Sequence, residues 1–423
     1  MDYFDTNLML SDEDLALKAS VHKFAETVMR PAAKELDEKG PLEAVAEDSP
    51  LWIFLRKAFE LGYHAAGFPE AVGGLGLTPL QWHIVMEEMG WGSFGLSIQL
   101  GAISMVPLAA LLSNNPALIE EFVIPYCRCV DGSIRGCWAA TDPDHGSDGL
   151  GFGEPFHSSP ESRSSCRAVR DGDHWVISGQ KSAWISGGPV ATHCLLYCQT
   201  DPSRGFAGSG CAIVPLNLSG CSRGKPLAKL GMKDLAQTEL YFDDVRIPAR
   251  YMILDNPEAY QFMSDQYLAC ANIGVACYAT GLARAAFEEA FGYCNERIQG
   301  GRLLRDQYSM KQRIFAMFGR VEACRALTRN TVAMNMSIFP AFTEYAIAAK
   351  TAATEMAFQN AHEAIQILGA NGLTKEYLPE KLFRDARTSL IADGNTEVLQ
   401  RYGGQRIFDT YPRNRSTIAR IGG

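Results

Sequence analysis

Two long helical stretches in the last third of the chain limit its possible folds more than any other feature. They read "NIGVACYATGLARAAFEEAFGYCNER" (272–297) and "YAIAAKTAATEMAFQNAHEAIQILG" (345–369). Both are rich in alanine and apolar on more than one face, so neighbouring helices must bury them, and we expect helices of another subunit to contribute. Gly274 and Gly281 are seven residues apart, which suits close helix contact. The sequence therefore predicts a C-terminal helical bundle.

The N-terminal part of the chain also has the helical period. Ser11 precedes the acidic residues 12–14, a pattern typical of an N-cap followed by a first turn that complements the helix dipole. Apolar residues then recur at helical spacing: Leu17, Val21, Phe24 and Val28. This pattern predicts an amphipathic helix with one buried face.

Between these helical parts the hydrophobic period shifts towards two. Short β-rich runs such as "HWVISGQKSAWISGG" (174–188) and "TELYFDDVRIP" (238–248) are bounded by turn residues. Residues 149–168 are rich in Gly, Ser and Pro, which predicts a surface loop. We therefore expect an N-terminal helical domain over residues 1–132, a small β-domain over 133–252 and a helical bundle over 253–423.

Composition excludes several classes of function. The 423 residues carry a net charge of -9, with a pI near 5.5, so no electrostatic footprint for nucleic acid or an anionic membrane is expected. No apolar run approaches the roughly 18 residues of a membrane span, and "MDYFDTNLML" lacks the order of a signal peptide. Twelve scattered cysteines lack the spacing of zinc or redox sites. These features predict a cytoplasmic protein with buried free thiols and no bound metal.

Three segments carry motifs in a fixed order. They are "CWAATDPDHGSD" (137–148), "SAWISGG" (182–188) and "QILGANGLTKEYLPEKLFRDARTSLIADGNTE" (366–397). Their order and spacing resemble those of the acyl-CoA dehydrogenase family, whose signatures are T-E-P-x-x-G-S-D, W-I-T/S-x-G and Q-x-x-G-x-x-G followed by R-D-A and E-G-T. The resemblance implies a mainly α fold with a central β-barrel-like domain and a C-terminal four-helix bundle. It also implies FAD as cofactor and an acyl-CoA thioester as substrate.

The resemblance assigns cofactor contacts to the β-domain. Trp184 would pack against the isoalloxazine ring and Ser186 would bond near N5. Ala140 and Thr141 would line the pyrimidine side of the ring, and Ser147 would reach the phosphate. Trp138 is a further predicted cofactor contact. The alternative for the two tryptophans is that they are core residues of the β-domain.

The resemblance also implies that each FAD is held partly by a neighbouring subunit of a homotetramer or dimer. The matching positions are Arg297, Gln366 and Gly369, together with Gln307 or its neighbour Tyr308. An arginine can pair with pyrophosphate through its planar donor fork, although alone Arg297 would more often be a solvated helix residue. Gly300-Gly301 departs from the Phe-Gly that is common in the family. After the third motif's base position, Asn395 and Glu397 are predicted to contact the cofactor.

Asp393 aligns with the glutamate of the family's E-G-T. That glutamate removes the α-proton of the thioester while hydride leaves the β carbon for flavin N5, and its own backbone N–H helps to polarise the thioester oxygen. Aspartate is shorter by one carbon–carbon bond, roughly 1.5 Å. Some members carry the base on a C-terminal helix, but that position is Ala271 here, beside Asn272. The alternative is that Asp393 merely caps the next helix.

Small residues surround the expected acyl group. Ala392 precedes the base, Gly394 follows it, and Gly101 stands near the predicted pocket floor. They predict room for a branched or alicyclic acyl group. The family resemblance implies that electrons pass on to an electron-transferring flavoprotein. Two other reactions stay open: a flavin oxidase of the nitroalkane type, and lyase-like chemistry on a CoA thioester such as desulfination. The negative charge argues against a DNA-associated role.

Overall fold

The computed structural model describes residues 10–421, with side chains described through residue 411. Residues 1–9, which hold most of the segment predicted not to be a signal peptide, lie outside the described residues. The predicted N-cap is confirmed: Ser11 Oγ accepts from the Asp14 backbone N–H (3.2 Å), and the Asp14 carboxylate accepts from the Ser11 N–H (3.0 Å). The described N-terminal helices are α1 (Asp12–Phe24), α2 (Arg30–Glu38), α3 (Pro50–Glu60), α4 (Pro79–Gly92), α5 (Phe94–Ile103), α6 (Met105–Leu112), α7 (Pro116–Leu118) and α8 (Ile124–Cys127).

One mostly antiparallel sheet occupies the middle of the chain. Its strands are β1 (Trp138–Ala139), β2 (Arg167–Asp171), β3 (His174–Ser186), β4 (His193–Gln199), β5 (Ser209–Pro215), β6 (Cys221–Arg223), β7 (Gln237–Pro248) and β8 (Met252–Leu254). The order is β6-β7-β3-β2-β4-β5-β8, and β1 pairs with β4 in parallel. At the end of the long β3–β7 pair, Ser186 lies opposite Gln237. The predicted β-rich runs are therefore strands.

Residues 149–166 lack strands and long helices, as predicted for 149–168, whereas the last two residues of that range already belong to β2. The segment is also not wholly on the surface. Phe152 and His157 are buried. The Phe152 ring packs 5.3 Å from the ring of Tyr402 and 5.0 Å from that of His157, centroid to centroid. The Gly, Ser and Pro content predicts the irregular backbone, but it does not reveal that Phe152 anchors the segment to Tyr402 in the C-terminal part of the chain.

The C-terminal part contains the helices α9 (Pro257–Glu296), α10 (Tyr308–Ser337), α11 (Thr343–Leu368), α12 (Pro379–Ser389) and α13 (Thr396–Ile421), with a small hairpin of β9 (Ile298–Gln299) and β10 (Arg302–Leu303) after α9. Helix α9 is buried along most of its length by α4, α10 and α11 of the same chain. The apolar faces that suggested another subunit are thus largely covered within this one.

The two glycines of α9 have different roles. A Cβ on Gly281 would lie 2.1 Å from the Glu87 carbonyl oxygen of α4, so Gly281 does allow close helix contact, as predicted. A Cβ on Gly274 would meet only the ring of Tyr278, at 3.9 Å. The close-contact prediction is therefore wrong for Gly274, because that face of α9 borders a cavity and not another helix.

Buried ion pairs fix α9 against its neighbours. Arg284 of α9 donates to Glu87 (3.1 Å) and Glu88 (2.5 Å) of α4, and Arg325 of α10 donates to Glu87 (2.7 Å). All four side chains are at most 5% exposed. Because an unpaired buried charge is costly, this network specifies how the N-terminal and C-terminal helices meet.

Three further predictions concern the whole chain. All twelve cysteines are free, and all but Cys221 and Cys270 are buried, which confirms the prediction of buried thiols. Within residues 10–421, no single helix is long and apolar enough to cross a bilayer; α5 and α6 meet that criterion only as a pair bent by 44°. The same residues contain no group of three or more His, Cys, Asp or Glu side chains suited to a metal ion.

Candidate active site

A cavity of about 1230 Å³ lies where the three parts of the chain meet. Its walls come from α4–α6, from β1 and β3, from α9, and from the loop between α12 and α13. Many residues predicted from the sequence line it together: Gly101, Trp138, Ala140, Thr141, Ser147, Trp184, Ser186, Ala392, Asp393 and Gly394. The fold therefore gathers positions nearly 300 residues apart around one space.

The wall formed by β1 and β3 suits a flat ring with a polar edge. Trp184 is 60% exposed, although its indole is large and apolar. The Nε1 of Trp138 is buried without a hydrogen-bond partner among the described residues. The hydroxyls of Thr141, Ser147 and Ser186 line the same cavity. An exposed aromatic face beside the unpartnered indole N–H of Trp138 and several hydroxyl-bearing residues fits a planar cofactor such as FAD.

Asp393 stands on a loop whose backbone is held from two helices. The residue adopts a left-handed conformation, with φ of 51°. Its carbonyl oxygen accepts from Asn272 Nδ2 of α9 at 3.0 Å, and the next carbonyl, of Gly394, accepts from Lys350 Nζ of α11 at 2.8 Å. Asn272 and Lys350 are both fully buried. We call these two contacts the carbonyl clamp; they fix the point from which the Asp393 side chain enters the cavity.

Helix capping in this loop is performed by a different residue. Asn395 Oδ1 accepts from the backbone N–H of Glu397 at 2.9 Å, at the start of α13. The Asn395 N–H in turn donates to Ser147 Oγ at 3.0 Å, which ties the loop to the β-domain. Asp393 makes no such contact. The alternative that Asp393 serves as the helix cap is therefore wrong.

The environment of Asp393 favours a proton-accepting group of raised basicity. Burial raises the pKa of its carboxyl, and the positive charge of Lys350 partly opposes that rise. Burial lowers the pKa of Lys350 to about 8, while the charge of Asp393 opposes that change. The exposed part of Asp393 faces the cavity. A carboxylate that is poorly solvated but still ionisable is the usual design of a general base.

Three other carboxylates line the cavity, and each has different surroundings. Asp142 forms a buried ion pair with Lys181 at 3.2 Å. Glu239 accepts from the Tyr241 hydroxyl at 3.1 Å. Asp144 is exposed in the loop after β1. Among the carboxylates that line the cavity in the described part of the chain, Asp393 alone is poorly solvated and without a hydrogen bond to its side chain.

Small residues line part of the cavity. Gly101 lies opposite Tyr278, whose hydroxyl would be 3.4 Å from a Cβ at Gly101. Ala271, Gly274 and Ala392 line the same cavity. Apolar side chains complete the enclosure: Met86, Ile98, Met105 and Val275.

Several predicted cofactor residues lie outside this cavity. Arg297, Gln366 and Gly369 are exposed. Gln307 is half-buried and donates to the Gln299 carbonyl at 3.3 Å. Asn395 is engaged at the start of α13, and Glu397 is exposed there. A single chain does not test contacts to a neighbouring subunit's FAD, so these assignments stay predictions.

Lys350 is a functional residue that the sequence motifs do not include, although its position in the chain holds a signal. Lys350 is the only charged residue between Glu344 and Glu355 in an alanine-rich helix. Burying a lysine side chain is costly unless its ammonium group makes a hydrogen bond or an ion pair, so a lone lysine in a buried helix indicates such a contact. Asn272 follows Ala271, the position at which some family members carry the base. Its contact with Asp393 depends on tertiary packing, which the sequence does not show.

Comparison with known proteins identifies the family. Models of the N-terminal, middle and C-terminal domains of acyl-CoA dehydrogenases match residues 11–125, 137–245 and 262–408. The chain belongs to the acyl-CoA dehydrogenase family, and it is an FAD-dependent oxidoreductase. The predicted fold class and cofactor are thereby confirmed, while the domain boundaries after residues 132 and 252 stay predictions.

Relatives cover nearly the whole chain. The mitochondrial short-chain specific acyl-CoA dehydrogenase of Bos taurus is 30% identical, over 93% of this chain and 90% of its own. Cyclohex-1-ene-1-carbonyl-CoA dehydrogenase of Syntrophus aciditrophicus is 27% identical, over 96% and 92% respectively. The structure of butyryl-CoA dehydrogenase from Megasphaera elsdenii superposes with a TM-score of 0.83 at 26% identity, covering 94% of this chain and 99% of that one.

Proposed function

We propose that this enzyme dehydrogenates an acyl-CoA thioester between its α and β carbons, with Asp393 as the base that takes the α-proton. The observation that carries the assignment is the desolvated carboxylate of Asp393, which faces the cavity from a loop held by the carbonyl clamp. Bound FAD supplies the acceptor for the β-hydride. The α-proton moves to a carboxylate oxygen of Asp393, whose raised pKa makes it a stronger base than an ordinary aspartate.

The backbone of Asp393 has a second role in this proposal. Its N–H makes no hydrogen bond within the described part of the chain. An unpaired N–H beside the base is available to the thioester oxygen, on which negative charge develops as the α-proton leaves. The carbonyl clamp fixes this N–H and the carboxylate together, because both belong to the residue whose carbonyl Asn272 holds.

The acyl group is proposed to be alicyclic or branched. Gly101, Gly274 and Ala392 line the same cavity as Asp393 and contribute little side-chain volume to it, which supports a bulky acyl group. Unfilled apolar volume lowers affinity, so a bulkier acyl group should bind better. The similarity to an enzyme named for a cyclohexene-carbonyl thioester is in keeping with this choice.

The remaining expectations from the sequence are part of the same proposal. Electrons leave the enzyme through an electron-transferring flavoprotein, in the cytoplasm. A homotetramer or dimer brings Arg297, Gln307, Gln366 and Gly369 to the FAD of a neighbouring subunit. Their exposed or half-buried positions on this chain leave them accessible to such a partner.

The decisive experiment is anaerobic mixing of the purified holoenzyme with a panel of straight, branched and alicyclic acyl-CoA thioesters. The flavin absorbance should bleach fastest with a branched or alicyclic member. Bleaching by nitroethane, with peroxide formed in air, would contradict the proposal in favour of an oxidase. Release of sulfite from a sulfinyl thioester without bleaching would contradict it in favour of a lyase.

The role of Asp393 is tested separately with a matched pair of variants. Asp393→Asn should retain FAD and lose both bleaching and exchange of the α-proton with deuterated solvent. Asp144→Asn removes a carboxylate at the same cavity but should retain proton exchange. Exchange that persists in Asp393→Asn would show that another group is the base.

A further inference from the structure

A chain of three polar side chains leads from the loop before β7 to the cavity wall. Lys229 Nζ donates to the Gln237 side-chain oxygen Oε1 at 2.8 Å and to the Leu235 carbonyl at 2.7 Å. Gln237 Nε2 donates to Ser186 Oγ and to the Trp184 carbonyl, each at 3.1 Å. We call Lys229, Gln237 and Ser186 the serine relay; all three line the cavity.

The orientation of the Gln237 amide is determined by its neighbours. A lysine ammonium group can only donate, so the atom that faces Lys229 must be the oxygen Oε1. A backbone carbonyl can only accept, so the atom that faces Trp184 must be the nitrogen Nε2. Exchanging the two atoms would place donor against donor and acceptor against acceptor. Two independent contacts therefore fix the same orientation.

This orientation decides what the Ser186 hydroxyl can do. A hydroxyl has one proton to donate and two lone pairs. Because Gln237 Nε2 donates to Ser186 Oγ, the serine uses a lone pair there and keeps its proton. Ser186 donates to no other group in the described part of the chain. Its proton is thus directed to whatever occupies the cavity beside it.

We propose that Lys229 and Gln237 are positioning residues that hold Ser186 as a hydrogen-bond donor to the flavin N5 atom. The proposal rests on the proposed function, in which bound FAD accepts the hydride, and on the position against Trp184 and Ser186 that the family resemblance implies for the flavin ring. Hydrogen bonds to ring nitrogens are a principal means by which a protein tunes a flavin. The relay keeps the Ser186 hydroxyl proton pointed at N5 of the oxidised flavin, which is the form that accepts hydride from the substrate.

The test reverses one hydrogen bond without changing the shape of the side chain. In Gln237→Glu, the carboxylate still accepts from Lys229 but cannot donate, so it should accept the Ser186 proton and draw it away from N5. The holoenzyme is reconstituted with FAD labelled with ¹⁵N at N5, and the N5 resonance is recorded in the oxidised state without substrate. The resonance should move downfield, as expected when N5 loses a hydrogen-bond donor. The dissociation constant for FAD should rise about fivefold, the factor for one neutral hydrogen bond.

Two further variants separate the possible failures. Ser186→Ala should give the same downfield N5 resonance, and adding Gln237→Glu to it should change nothing more, because the two act through one hydroxyl. If Ser186→Ala leaves the resonance at its wild-type position, Ser186 does not face N5, and the flavin placement falls together with the relay. If Ser186→Ala shifts the resonance and Gln237→Glu does not, the relay alone is overturned.

A third variant covers the case in which the buried glutamate prevents folding. Gln237→Met keeps a similar volume without a charge and leaves the serine hydroxyl without a fixed direction. Its N5 resonance should lie between those of the wild type and Ser186→Ala. A wild-type resonance in Gln237→Met would overturn the relay.

Discussion

Replacing Asp393 by glutamate asks whether the carbonyl clamp sets the reach of the base. Lys350 donates to one carbonyl of this loop at 2.8 Å and Asn272 donates to the other at 3.0 Å. Both donors are fully buried, so the loop backbone cannot shift without breaking a buried hydrogen bond. The longer side chain carries its carboxylate farther by one carbon–carbon bond, roughly 1.5 Å. The left-handed φ of 51° adds strain, because this region tolerates aspartate better than glutamate.

The size of the effect follows from that displacement. A misplacement of about 1 Å at a reacting group costs about 100-fold in rate. Asp393→Glu should therefore bind FAD normally and bleach it about 100-fold more slowly with the preferred acyl-CoA. The assay is single-turnover bleaching under anaerobic conditions, with α-proton exchange into deuterated solvent measured in parallel. Both rates should fall together, since both depend on the same carboxylate.

A double variant tests whether the clamp is the cause. Lys350→Met releases the Gly394 carbonyl, so the loop in the Asp393→Glu, Lys350→Met protein can shift to accommodate the longer base. The penalty for glutamate should then be smaller than in the otherwise wild-type chain. The reasoning is refuted if Asp393→Glu bleaches within about threefold of the wild-type rate, since a displacement of this size predicts a far larger loss.

Other predictions concern pH and packing. Because Asp393 acts when deprotonated and its pKa is raised, the bleaching rate should increase with pH through a range above that of an ordinary aspartate. Burial disfavours the ionised carboxylate in the folded protein, so the free energy of unfolding should fall as the pH rises through this raised pKa. Lys350→Met removes the charge that opposes this rise, so the rate profile should move to higher pH, and the unpaired Gly394 carbonyl should cost about 2 kcal/mol of stability in denaturant unfolding. Gly281→Ala places a Cβ 2.1 Å from the Glu87 carbonyl oxygen and should lower the free energy of unfolding by about 3 kcal/mol. Gly274→Ala should leave this free energy unchanged or raise it by up to about 1 kcal/mol, and it should slow the turnover of bulky acyl groups. A Gly281→Ala protein as stable as the wild type would contradict the packing described for α4 and α9.

The residues that line the cavity from the β-domain were predictable because they lie in short local motifs. Trp184 and Ser186 end one strand, and Thr141 and Ser147 follow another, each pair within a motif that resembles one of the family's signatures. Asp393 was found in the same way, from its place in a motif. Local patterns of this kind depend on residues that are neighbours in the chain.

The supporting residues were not predictable for the opposite reason. Asn272 reaches Asp393 across 121 positions in the chain, and Lys350 reaches Gly394 across 44. Gln237 meets Ser186 only because β7 pairs with β3 in one particular register. Such contacts depend on helix and strand packing, and a single sequence contains no record of which distant side chain meets which carbonyl. The open environment of Gly274 was missed for the same reason.

The carbonyl clamp has a consequence for how enzymes of this kind diversify. Its two hydrogen bonds go to main-chain oxygens, which every amino acid possesses, so these bonds do not depend on which side chain stands at position 393. A single substitution there can replace the acid–base group while the loop keeps its conformation, provided that the new residue tolerates a left-handed backbone. The residues that hold the loop and the side chain that it presents can thus change independently in evolution. New chemistry at this position does not require a new loop.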